Sequence, residues 1–138
     1  MEKSPITIET TVNAPLAKVW DAWTKPEHIV GWSFASDDWA AKDAVNDLRT
    51  GGEFKTHLYA KDNSFSFDFG GIYTDVKEHA LLEYDLGDGR HVKITFEETP
   101  EGVHVIETFD PESENSEELQ RSGWQAFLDN FKKYVEKL

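Results

Sequence analysis

"NSEELQRSGWQAFLDNFKKYVEKL", residues 115–138, decides the fold. Leu119, Trp124, Phe127, Leu128, Phe131, Val135 and Leu138 recur at helical spacing, which predicts a long amphipathic helix with one apolar stripe. Asn115 with Glu118 resembles a capping box at its start. Gly123 is the anomaly, because a glycine inside a helix costs about 1 kcal/mol relative to alanine. Close approach by another element beside the bulky Trp124 is the expected offset, with room for a ligand as the alternative.

Upstream of the helix the period changes from helical to two. Six runs alternate: 44–49 "AVNDLR", 54–60 "FKTHLYA", 64–76 "SFSFDFGGIYTDV", 80–86 "ALLEYDL", 91–98 "HVKITFEE" and 103–109 "VHVIETF". The turns "TGGE", "GDGR" and "TPEG" separate neighbouring runs closely enough to predict antiparallel hairpins. Phe65, Phe67 and Phe69 share one face, and Gly70 and Gly71 suggest a bulge. Near the N-terminus Ile6, Ile8, Thr10 and Val12 predict a first strand over 6–12. Leu16, Val19, Trp20 and Trp23, after Pro15, predict a short helix. Thr24, Pro26 and Gly31 bracket a second, and residues 33–44 read as a loop carrying the buried rings of Phe34 and Trp39.

The order strand, two helices, six strands and long helix describes an α+β domain spanning 1–138, in which one curved antiparallel sheet of about seven strands wraps the C-terminal helix. A curved sheet around one helix closes incompletely. A cavity is therefore expected between them, roofed by the two short helices and the loop from Phe34 to Trp39.

The 138-residue chain has no cysteine, which excludes disulfides, thiolate metal sites and cysteine nucleophiles. With 14 Lys plus Arg against 27 Asp plus Glu, its net charge of −13 repels phosphate backbones and anionic membranes. Nucleic acid and membrane are thus not expected as partners, and no basic leader or spanning apolar run is present, so cytoplasmic placement is the expectation. His28, His57, His79, His91 and His104 lack metal-site spacing and read as surface or satisfied strand residues. Neither a nucleophile elbow nor a phosphate-cradling loop occurs. No metal, cofactor or catalytic residue is assigned.

"NAPLAKVWDAWTKPEHIVGW", "DLRTGGEF" and "GWQAFLDNFKKYVE" together resemble the signature stretches of the family of homologues of the activator of heat-shock protein 90 ATPase, within the START-like or SRPBCC superfamily. The resembling positions are Ala14, Pro15, Trp32, Asp47, Leu48, Arg49, Gly51, Gly52, Gly123 and Trp124. The resemblance implies a helix-grip fold with a deep pocket, used across the superfamily for apolar or amphipathic ligands.

Aromatic residues make up 13% of the chain, and such rings fill a core or line a cavity. The candidate lining is Trp32, Phe34 and Trp39 at the mouth, with Leu58, Phe67, Phe69, Tyr84, Trp124, Phe127 and Leu128 inside. Glu107 shares parity with Val103, Val105 and Phe109, which predicts an inward carboxylate, whereas Asp68 and Glu83 face out. Three roles fit: binding of a small apolar or amphipathic molecule, a co-chaperone-like interaction with a chaperone, and a cyclase-like or hydrolytic enzyme.

Overall fold

The computed structural model describes residues 4–138; residues 1–3, included above in the single domain, lie outside the described residues. The chain runs β1 (Ile6–Val12), α1 (Leu16–Thr24), α2 (Pro26–Ile29), β2 (Trp39–Asn46), β3 (Glu53–Ala60), β4 (Ser66–Lys77), β5 (Leu81–Leu86), β6 (His91–Thr99), β7 (Gly102–Phe109) and α3 (Glu117–Lys137). One seven-stranded antiparallel sheet has the order β1-β7-β6-β5-β4-β3-β2. Every neighbour from β2 to β7 is also the neighbour in sequence. The remaining pairing, of β1 with β7, joins the first strand to the last. This is the expected α+β helix-grip architecture.

Alternation places Val92, Ile94 and Phe96 of β6, and Val103, Val105 and Phe109 of β7, on the inner face, where all are buried. In β4 two consecutive glycines lie against neighbouring backbone. A Cβ on Gly70 would lie 2.2 Å from the Phe54 carbonyl oxygen, and one on Gly71 would lie 2.4 Å from that of Asp85. These glycines therefore admit neighbouring backbone rather than form the expected bulge: β3–β4 pairing runs unbroken through them, and the β4–β5 irregularity falls between Tyr73 and Asp75.

The first strand of the β2–β3 hairpin begins earlier than its alternation suggested, at Trp39, inside the expected loop, and stops at Asn46. Its pairing with β3 shifts between Lys42 and Val45, where Asp43 has φ 52°. This interruption disguises the strand by breaking its period. Asp47 and Arg49 lie in the following turn rather than on a strand face, and Arg49 Nε donates to both Asp47 carboxylate oxygens at 3.0 Å.

Helix α3 packs by Leu128, Phe131 and Val135, each fully buried. Its cap is Ser116 rather than Asn115, for the Ser116 hydroxyl accepts the Leu119 N–H at 3.1 Å. The apolar stripe is shorter than its sequence spacing, since Leu119 and Leu138 are 59% and 49% exposed. In the first turn the buried position belongs to Gln120. Its amide accepts the Glu112 N–H at 2.8 Å and donates to the carbonyls of Glu112 and Asn115, fastening the acidic connection. Arg121 and Gln125 donate to the carbonyls of Thr7 and Glu9, so α3 also covers part of the free edge of β1. Thr24, expected to cap α2, instead donates back to the Trp20 carbonyl at 2.8 Å; the α2 N-cap is Lys25.

Gly123 corrects the expectation of close packing. It is exposed, and a Cβ there meets nothing within 4 Å, which also removes the ligand-room alternative. The close approach belongs to Gly31, where a Cβ would lie 2.5 Å from the Tyr134 ring. Alanine at the two positions should act with opposite sign. Gly123→Ala is expected to raise the unfolding free energy by up to about 1 kcal/mol through helix propensity. Gly31→Ala is expected to lower it by about 1–3 kcal/mol through overpacking. Denaturant titration of both variants checks the pair.

Candidate functional site: a cavity between sheet and helix

A cavity of about 290 Å³ lies beneath α3 and α2, against the inner faces of β3, β4, β5 and β7. Hydrogen bonds and ring contacts tie the helical wall together. Trp32 donates its indole N–H to the Ala22 carbonyl at 2.8 Å and packs edge-on against Phe131, with centroids 4.8 Å apart. Asn130 of α3 donates to the carbonyl oxygens of Trp32 and Phe34, at 2.9 and 3.3 Å, tying this segment to the helix. Trp124 stacks on Phe109 with centroids 3.9 Å apart and an interplanar angle of 7°. Phe127 and Leu128 complete the α3 wall.

Of the residues expected to line a cavity, Trp32, Leu58, Phe67, Phe69, Tyr84, Glu107, Trp124, Phe127 and Leu128 are brought together around it. Phe34 and Trp39 are not, which corrects their expected place at the mouth. Phe34 is half-buried, with its carbonyl held by Asn130. Trp39 opens the edge strand β2, and its ring packs edge-on against Phe65 and Phe67, at 6.2 and 5.8 Å. Phe67 both lines the cavity and is 44% exposed, so the cavity reaches the surface beside this aromatic group.

Several lining residues escaped the sequence reading. Phe54 and Thr56 share parity with Leu58, and Tyr73 shares parity with Phe67 and Phe69, so alternation could have found them. Trp23 of α1 packs against the core as well as the cavity, and Ile29 comes from α2, which has no buried residue of its own. Arg90, from the β5–β6 turn, carried no signal; its Nε donates to Asp88 at 2.7 Å.

Glu107 supplies the unusual electrostatics. It is 5% exposed, between Ile94 of β6 and Ile8 of β1 as cross-strand neighbours, and its carboxyl has no hydrogen-bond or ion-pair partner among the described residues. Among the described residues no side-chain oxygen is sealed from solvent-sized space without a partner, so the carboxyl oxygens face the cavity. Burial pushes this carboxyl up to about 8. Tyr84, on β5, has its phenol pushed up by burial and then by the Glu107 and Tyr73 charges. Tyr73 is likewise raised by burial, and its hydroxyl donates to Asn46 at 2.7 Å.

The histidines have neighbours elsewhere. His28 bonds Tyr134, His57 bonds Asp68, His104 bonds Glu9, and His91 bonds both Asp85 and Glu83; His79 lies 3.8 Å from Glu78. Asp68 and Glu83 thus face outward. No group of three His, Asp or Glu side chains disposed to hold a metal occurs among the described residues. No helix among them is long and apolar enough to cross a membrane.

A curled antiparallel sheet gripping a C-terminal helix over an aromatic-lined cavity defines a START-like protein. The family described as Activator of Hsp90 ATPase homolog 1-like protein matches residues 13–136. The chain belongs to that family. It is similar to the AHSA1-like protein from Aeromonas hydrophila, whose solution structure superposes with TM-score 0.92 at 42% identity, covering 96% of this chain and 92% of that one. A protein from Cytophaga hutchinsonii is 51% identical over the same shares of the two chains, with TM-score 0.83. The crystal structure of a protein from Nitrosomonas europaea shares the fold at TM-score 0.84 but only 19% identity, covering 97% of this chain and 95% of that one. No curated protein matches the sequence.

Proposed function

We propose that this protein binds a small, largely apolar molecule in the cavity between the sheet and α3. The observation that carries the reading is the wall itself. Rings of Trp32, Phe69, Trp124 and Phe127 surround about 290 Å³ of space in a domain whose other inward side chains, such as Leu82, Ile94 and Val105, are fully buried. Apolar surface left uncovered in this way gains roughly 25 cal/mol for each Å² that a ligand removes from water. A few polar groups among apolar walls is the usual composition of a small-molecule site.

Titration with an apolar fluorescent reporter dye tests the proposal. Thr56 is buried and lines the cavity, so Thr56→Phe is expected to fill part of it. Dye affinity should fall at least about tenfold, equivalent to 1.4 kcal/mol, while circular dichroism stays unchanged. Undiminished affinity in a folded Thr56→Phe variant would place the dye elsewhere and defeat the reading.

A further inference from the structure

We infer that the cavity selects a ligand with an apolar body and one protonated amine, the amine pairing with the carboxyl of Glu107. This inference rests on the cavity being a ligand site and specifies what enters it. Glu107 is buried, faces the cavity, and has no partner among the described residues. A carboxyl in that position must draw its donors from whatever occupies the cavity, water or ligand.

The groups around Glu107 do not fill that need. Its neighbours on β1 and β6 are Ile8 and Ile94, and the lining of α3 is Trp124, Phe127 and Leu128. Tyr84 on β5 is itself raised, by burial and then by the Glu107 charge, but no hydrogen bond joins the two among the described residues; Tyr73 bonds Asn46 instead, and Arg90 is engaged by Asp88. Ser33 contributes the remaining hydroxyl beyond Thr56. Burial is the cause of the raised carboxyl affinity for protons, with no cation acting on it. An ammonium group donates and neutralises at once, whereas an alcohol only donates and a carboxylate adds like charge. The net charge of −13 further concentrates cations and repels anions around the molecule.

Three probes with one skeleton separate the possibilities: 4-phenylbutylamine, 4-phenylbutanol and 4-phenylbutyrate, titrated calorimetrically at pH 7. The amine should bind at least about tenfold more tightly than the alcohol, and the carboxylate more weakly than either. Because Glu107 titrates near 8 when the cavity is empty, amine binding should release close to one proton, read as a dependence of the heat on buffer ionisation enthalpy. Glu107→Gln should abolish both the amine preference and the proton release, and Glu107→Leu should do the same, with circular dichroism showing that both variants stay folded. Equal affinity for amine and alcohol, or an amine preference that survives in both variants, would overturn the inference while leaving a cavity that binds apolar molecules. Failure of all three probes to bind would overturn the inference and count against the cavity reading as well.

Discussion

Phe131→Ala is expected to lower the unfolding free energy by about 3–5 kcal/mol, the usual cost of truncating a fully buried aromatic ring. The melting temperature should fall on the order of 10–20 °C. Phe131 is 0% exposed and meets the rings of Trp23 and Trp32 at 4.7 and 4.8 Å, so its loss leaves a hole that rigid indoles cannot close. The contrast with Phe127 is informative. Phe127 lies on the same helix but borders the cavity and is only half-buried, so it forfeits fewer contacts on truncation. Phe127→Ala should therefore destabilise less than Phe131→Ala, as thermal unfolding of the pair would establish. Equal losses would mean that the space beside Phe127 is filled.

The second large effect is pH-dependent. The Glu107 carboxyl has an ordinary value of 4.5 and is raised by burial to about 8, so it binds its proton more tightly folded than unfolded. Below pH 4.5 both states hold the proton and the full stabilisation is present. As pH rises from 4.5 through 8, the unfolded state gives up the proton first and stability falls, by roughly 3–5 kcal/mol at its fullest. His91 is also raised, by its bonds to Asp85 and Glu83, and loses its contribution in the same direction. Comparison with Glu107→Gln subtracts that background. Denaturant titrations at pH 5 and 8.5 should find the variant near wild type at the lower pH and a few kcal/mol more stable at the higher. A constant difference between the two proteins would mean that the carboxyl is not buried as described.

The antiparallel runs were legible because each strand has one wet and one dry face, which writes a period of two directly into residues such as Val103, Val105 and Phe109. The same rule located Glu107 as an inward carboxylate. The start of β2 was hidden by the pairing shift at Asp43, a local backbone event without a side-chain period. Gly123 misled for a related reason. A helical glycine carries the same local cost whether it is packed or solvated, and only tertiary placement shows that Gly31, not Gly123, admits a neighbour. Phe34 and Trp39 were assigned to the mouth because large rings in an irregular segment suggest a cavity rim. Trp39 instead found its partners across the sheet edge, in Phe65 and Phe67. Arg90 joined the lining from a turn, and nothing in a turn sequence states which way its side chain leans.

The five indole N–H signals offer the most direct test of the cavity as a binding site. Trp23, Trp32 and Trp124 line it, whereas Trp20 is buried elsewhere in the core and Trp39 lies on the edge strand. In a nitrogen–proton correlation spectrum assigned by single Trp→Phe variants, titration with 4-phenylbutylamine should shift the signals of Trp23, Trp32 and Trp124 together and leave Trp20 in place. Shifts confined to Trp39, or none at all at saturating probe, would contradict the account.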